Sequence, residues 1–149
     1  LSATVDANVL VYASNEAEPV HETARALVER LAAGPEIVYL FWPTIMGYLR
    51  IVTHPSLLPR PLGPKDAIAN LSALIAVPHV RTPGEQEGFW ELYLATRGEA
   101  DRGNDVPDGH LAALMRQHGV GKIYTRDRDF RRFDGIAVED PFAAGPGGE

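Results

Sequence analysis

The chain has 149 residues, 45% hydrophobic and 23% charged, the make-up of one ordinary globular domain. Its 14 Lys and Arg against 20 Asp and Glu give a net charge of -6, which excludes a protein that grips a polyanion by a basic surface everywhere. Cysteine is absent, and with it disulfides, thiolate zinc sites and cysteine nucleophiles. Leu1-Ser2-Ala3-Thr4 lacks a basic signal-like region, and no apolar run approaches the roughly 18 residues of a membrane span, so the expectation is a cytoplasmic protein with no membrane contact.

Ala3 to Asp6 and Ile37 to Trp42 are short apolar runs rich in β-branched or aromatic residues, as strands with both faces covered require. Between them one helix is expected, opened by Pro19, stopped by Gly34-Pro35, and buried along Ala24, Leu27, Val28 and Leu31. Strand, helix, strand signals a parallel sheet. Pro43 suits the first turn of a helix from Thr44 to Val52. The four prolines between His54 and Pro64 make that stretch a surface connection. A helix from Lys65 to Ala76 leads to a strand at His79-Val80-Arg81. Another, Glu85 to Thr96, shows a broad apolar face in Phe89, Trp90, Leu92, Tyr93 and Leu94, suited to its own core or to a second copy of the chain. After a loop from Arg97 to Asn104 come a helix from Asp105 to Gln117, a strand at Lys122 to Thr125, and a last strand at Ile136 to Val138.

Four aspartates fall at telling places. Asp6 closes the first strand, Asp127 and Asp129 follow the strand that ends at Thr125, and Asp108 lies in the first turn of a helix. Ligands of open α/β sheets bind outside the carboxyl ends of strands, so neighbouring first and late strands would bring Asp6 and Asp127 together. Each acid also has a plainer reading: an Asx turn at Asp6-Ala7-Asn8, a helix start at Asp105-Val106-Pro107-Asp108 with Asp105 as N-cap, and a capped turn at Asp127 to Asp129. Those readings do not explain why all three segments meet at one sheet edge. Converging carboxylates repel one another unless a cation joins them, and oxygen donors select hard ions such as Mg²⁺ or Mn²⁺, which serve metal-assisted hydrolysis. The five histidines form no His-Glu-x-x-His pattern, and Gly-x-Ser-x-Gly, Walker and dinucleotide fingerprints are absent.

Val5-Asp6-Ala7-Asn8-Val9-Leu10-Val11-Tyr12, Val106-Pro107-Asp108-Gly109-His110-Leu111-Ala112-Ala113-Leu114 and Thr125-Arg126-Asp127-Arg128-Asp129-Phe130 resemble, in that order, the VapC toxins of the PIN-domain ribonuclease family. Trp42-Pro43 with Gly47-Tyr48-Leu49-Arg50-Ile51-Val52-Thr53-His54-Pro55 is similar to one VapC branch. The resemblance implies an α/β, PIN-like three-layer sandwich, a mostly parallel central sheet flanked by helices, over residues 1–142, with a flexible tail at 143–149. It implies an Mg²⁺- or Mn²⁺-dependent endoribonuclease with Asp6, Asp108 and Asp127 as catalytic metal ligands and Asp129 as a further ligand. Asn8, Asn104 and Thr125 would steady the carboxylates, Asn104 being equally suited to an N-cap. The implied partners are RNA, a VapB-like antitoxin whose C-terminal segment lies in a groove near the acids, and a second copy of the chain.

One position departs from the family pattern: Gly47 stands where most PIN nucleases carry a glutamate, with Glu22 as a candidate substitute. The alternative function is accordingly a PIN-fold RNA- or protein-binding module without catalysis; a receiver-like or phosphatase domain, which needs paired acids at the first strand, ranks last. Lys122, Arg126, Arg128, Arg131 and Arg132 place five basic residues in eleven positions beside the acids and are the expected RNA contacts, with Arg50, His54, Arg60 and Lys65 as a second flank.

Overall fold

A computed structural model describes residues 2–143; of the tail expected to be flexible, 144–149 lies outside the described residues. Five strands form one wholly parallel sheet in the order β3-β2-β1-β4-β5: β1 (Ser2–Val5), β2 (Ile37–Tyr39), β3 (Val80–Arg81), β4 (Lys122–Tyr124) and β5 (Ala137–Glu139). The central β1 is neighboured by β2 on one side and β4 on the other, so the chain order reverses beside it. Crevices outside the strand carboxyl ends open at such a reversal.

The helices are α1 (Ala7–Ser14), α2 (His21–Ala33), α3 (Trp42–Val52), α4 (Pro64–Ile75), α5 (Phe89–Thr96) and α6 (Asp105–Gln117), with a 3₁₀ turn at Arg128–Arg132. The sandwich and the parallel sheet expected from the resemblance are both present. One face of the sheet packs through Val5 and Val38, joined by Leu10 of α1 and by Leu40 just after β2, on Leu27, Leu31, Tyr48 and Leu71 of α2, α3 and α4. The other core gathers Phe41, Ile123 and Phe130 with Leu111, Leu114 and Met115 of α6. A fully buried Leu or Ile contributes roughly 1.5–3 kcal/mol, and the two layers together hold the strand ends in place.

Three expectations are corrected. Two helices, not one, join β1 to β2, because Val9, Leu10 and Val11 continue the core directly after Asp6; an apolar run of that length reads equally as strand or helix. The helix placed at Glu85 begins at Phe89, after Gly88, whose φ of 85° takes the left-handed turn that opens it. Of the two N-caps offered for α6, Asn104 holds the position and Asp105 does not, and the Asn104 side chain makes no capping hydrogen bond. The stripe Ala24, Leu27 and Leu31 is buried as expected, with Val28 partly so. On α5 the apolar face is divided. Phe89 and Tyr93 lie toward α6, against His110 and Gly109, whereas Trp90 and Leu94 remain 63% and 48% exposed.

Candidate active site

The backbone of β1 and β4 places the first acid. In register, Val5 lies opposite Tyr124, and the Asp6 N–H extends the ladder to the Tyr124 carbonyl at 3.0 Å. The next residue on each strand therefore leaves the sheet side by side. Fully buried Thr125 donates its hydroxyl hydrogen to Asp6 Oδ2 at 2.9 Å, and its Oγ1 accepts the N–H of Asp127 at 3.0 Å. Asp127 Oδ1 in turn accepts the N–H of Asp129 at 2.9 Å and caps the 3₁₀ turn. The capped-turn reading of this segment is thus correct, and it coexists with a charge aimed at the other acids.

Asp108, in the first turn of α6, faces the same group. Its carboxyl is pushed up to about 6 by burial first, then by the Asp127 charge, with Asp6 and Asp129 adding to the rise and Arg132 opposing it. Asp6 is raised as well, by burial and to a smaller degree by Asp127, while the Thr125 hydrogen bond and the N–H groups of Asn8 and Ala7 hold it down. The sheet and α6 thus bring Asp108 within electrostatic reach of Asp6, Asp127 and Asp129, and Asp6 within reach of Asp127, from across the chain. Perturbed acids clustered at a strand-end crevice mark a functional site more often than a structural one.

The donor set is all oxygen, and its four carboxylates outnumber the one arginine among the described residues that touches them, which suits a hard divalent cation. Among the described residues, no group of three or more His, Asp or Glu side chains is gathered closely enough to hold a metal ion by itself. Mg²⁺ commonly takes only one or two protein carboxylates, which the pair Asp6 and Asp108 could supply, and keeps several waters.

The supporting residues divide unevenly. Thr125 steadies Asp6 as expected. Asn8 is exposed and acts on Asp6 through its backbone N–H rather than its side chain; Asn104 is exposed and makes no side-chain hydrogen bond. Glu22 is not brought to the acids: it is exposed and paired with Arg25 at 3.0 Å. Gly47 does lie beside the site, since a Cβ there would meet the Cβ of Ala7, the residue after Asp6, at 3.6 Å.

The basic flank is largely committed to the protein itself. Lys122 pairs with Glu36 at 3.0 Å and Glu139 at 3.6 Å. Arg126 lies near both the Tyr12 and Phe142 rings and 3.6 Å from Glu18, clasping α1 to the C-terminal segment. Arg132 is tied to Asp101, Asp105 and Asp108, a network of acids that sequence reasoning missed because Asp101 lies in a loop without periodicity. Arg128 and Arg131 are exposed and make no ion pair among the described residues. In the second flank His54 is folded onto Ser56, and Arg50, Arg60 and Lys65 are exposed.

The PIN domain family model matches residues 3–136. Ribonuclease VapC48 of Mycobacterium tuberculosis is 52% identical over 144 residues, covering 96% of this chain and 99% of the relative. Ribonuclease VapC43 of the same organism is 35% identical over 92% of this chain and 93% of its own length. Among solved structures, VapBC2 from Rickettsia felis bound to a promoter DNA fragment superposes with a TM-score of 0.67 at 14% identity, over 93% of this chain and 98% of that one, a likeness of fold. The chain belongs to the PIN-domain family, on its VapC branch.

Proposed function

We propose that the chain is the toxin of a VapBC-type pair, an endoribonuclease that hydrolyses RNA phosphodiesters with Mg²⁺ or Mn²⁺. The observation that carries this reading is the convergence of Asp6 and Asp108, both with raised carboxyls, at the reversal point of a parallel sheet. The identity to VapC ribonucleases over nearly the whole chain supports the activity.

Asp6 and Asp108 are the principal ligands, with Asp127 beside them and Asp129 at the exposed rim. When bound, the divalent ion supplies an activated water and neutralises phosphate charge. Thr125 fixes Asp6 by donating to Oδ2, a bond that favours its ionised form against burial, and the Thr125 hydroxyl is itself held by the Asp127 N–H. Asp127 keeps Oδ1 on the Asp129 N–H, so Oδ2 is the oxygen it would offer to an ion. Arg128 and Arg131, exposed on the 3₁₀ turn that begins after Asp127, are the side chains free to meet RNA phosphates.

An open groove of about 510 Å³ between α1, α2, α3 and α4, lined by Leu10, Val28, Tyr48, Leu71 and Leu74 with Arg25 and Glu29 at its edge, offers a bed for an antitoxin segment, although none of the four aspartates lines it. The exposed Trp90 and Leu94 of α5 are where a second copy would dock. No helix among the described residues is long and apolar enough to cross a membrane.

The test is cleavage of RNA by the purified chain at millimolar Mn²⁺, with 5′-phosphate and 3′-hydroxyl ends. Loss of cutting with EDTA and in Asp6→Ala supports the reading. RNA binding without cutting at that ion concentration, in keeping with Gly47, replaces it by a non-catalytic PIN-fold binding module.

A further inference from the structure

Arg132 is a cation built into the acidic site. Its Nη1 lies 3.7 Å from Asp108 Oδ2, and its Nη2 lies 3.6 Å from Asp101 Oδ2 and 4.0 Å from Asp105 Oδ1. The guanidinium covers the Phe133 ring at 4.3 Å from the centroid, and Nη1 donates to the Asp129 carbonyl at 3.1 Å. Asp101, only 10% exposed, is itself fixed by the Gly98 N–H at 3.0 Å. The arginine is therefore held from several sides, with its side chain 31% exposed. An isolated exposed pair stabilises little, but a planar guanidinium seated on a ring and shared among carboxylates is a fixed charge.

At 3.7 Å the contact with Asp108 is a charge contact without a hydrogen bond, as are those with Asp101 and Asp105, whereas the link to the Asp129 carbonyl is a true hydrogen bond. Giving up Asp108 costs Arg132 no hydrogen bond, and Asp101 and Asp105 remain to accept its charge. Asp108 meanwhile feels the charges of Asp127, Asp6 and Asp129, and Arg132 opposes them by favouring its ionised form.

Resting on the reading of Asp108 as an ion ligand, we propose that Arg132 is the site's own counter-ion, which holds the Asp108 carboxylate in the metal-free protein and competes with a divalent cation for it. Ion binding is then an exchange of one cation for another at Asp108, and the affinity for the free ion is set below what the carboxylates alone would give. Arg132 is a positioning residue in this scheme. It keeps Asp108 in place until the ion arrives, and it makes occupancy of the site depend on cellular ion concentration.

The experiment is Mn²⁺ binding, read from the electron paramagnetic resonance of the free ion at pH 8, for the wild-type chain, Arg132→Gln, Arg132→Lys and Asp108→Asn. Removing a unit charge next to the site should tighten Mn²⁺ binding about fivefold or more in Arg132→Gln, while Arg132→Lys, which keeps the charge, stays within about twofold of wild type. A merely structural arginine would give the opposite result, weaker binding in the folded glutamine variant. Equal or weaker binding in Arg132→Gln, or a lysine variant as tight as the glutamine one, overturns the proposal. Asp108→Asn separates the two levels. Undiminished Mn²⁺ binding there refutes the ligand role of Asp108, whereas lost binding there with an unchanged Arg132→Gln refutes only the competition. Should Arg132→Gln fail to fold, the wild-type chain decides: the Arg132 Nε–H resonance should shift along the Mg²⁺ titration and saturate with it, and a resonance unmoved at saturation contradicts the exchange.

Discussion

The hydroxyl of Thr125 and the carboxylate of Asp6 meet at 2.9 Å across 119 positions of sequence, and the same hydroxyl oxygen accepts the N–H of Asp127 at 3.0 Å. One small side chain therefore couples the end of the first strand to the turn after the fourth. Thr125→Val keeps the shape and removes the hydroxyl. It should cost about 1–3 kcal/mol of stability, since it leaves buried polar groups short of a partner. It should also raise the Asp6 carboxyl further and reduce turnover roughly 10–100-fold, as loss of a ligand's supporting partner does. Thermal melts and RNA cleavage at matched pH check both; full activity in the variant would show that Asp6 needs no such support.

The raised acids give the metal-free protein a specific pH dependence. A carboxyl that binds its proton more tightly in the folded state than in the unfolded one makes stability fall as pH rises from the unfolded value. For Asp108 that window runs from 3.8 to about 6, and Asp6 shifts in the same direction. Asp108→Asn removes the effect, so the metal-free variant should be more stable than wild type at pH 7.5 by about 1 kcal/mol, the shift being discounted for solvent screening of a half-buried group. At pH 4 the two should melt alike. Calorimetry in EDTA across this range is the measurement, and a variant less stable at pH 7.5 would remove the account of strained acids.

Divalent binding runs the other way. A protonated Asp108 is no ligand, so Mn²⁺ affinity should decline as pH falls through about 6, the raised value of that carboxyl. Titration calorimetry at pH 5.5 and 7.5 would expose an affinity that ignores pH, which this reading cannot accommodate.

There is room for a side chain at Gly47. A Cβ at this position would stand 3.6 Å from Ala7 Cβ, an ordinary contact, and the backbone φ is not positive, so neither the Cβ nor the backbone conformation opposes a side chain here. Gly47→Glu should fold, gain about 1 kcal/mol of helix propensity at most, and add a carboxylate beside Asp6. The metal concentration needed for half-maximal cleavage should then drop several-fold, each added carboxylate ligand favouring the ion. Identical metal dependence in the two proteins would show that the glycine does not weaken the site.

Arg128→Gln and Arg131→Gln should each weaken RNA binding across sequences and lower the slope of log affinity against log salt by about 1, the signature of one lost phosphate contact. Arg126→Gln should act on stability instead, because its charge is spent on Glu18 and on the Tyr12 and Phe142 rings. Binding at several salt concentrations, with melts alongside, distinguishes the two classes; a salt slope that moves only in the Arg126 variant would reverse the assignment.

Much of this architecture was legible because short β-branched runs, helix stripes and proline or glycine stops coincide, as in Ala24, Leu27 and Leu31 of α2 and in the bounds of α6. The pairing of β1 with β4 was the condition on which Asp6 and Asp127 could meet, and the register of Val5 with Tyr124 meets it. The misses have physical causes. The eight residues of α1 are apolar on most sides and carry no stop signal of their own before Asn15, so periodicity could not separate them from the strand. The fate of the arginines was illegible because ion pairs depend on approach in three dimensions: Arg126 and Arg128 are two residues apart, yet one is clasped between rings and the other is free.

The central claim is that Asp6 and Asp108 share a divalent ion at the strand ends, and a crystal soaked in Mn²⁺ tests it most directly through the anomalous signal of that ion. The account predicts a peak bound by both carboxylates, with Asp127 in reach, and its disappearance in Asp6→Asn. An anomalous map with Mn²⁺ elsewhere and none between these two residues, from protein that still cuts RNA, would contradict it.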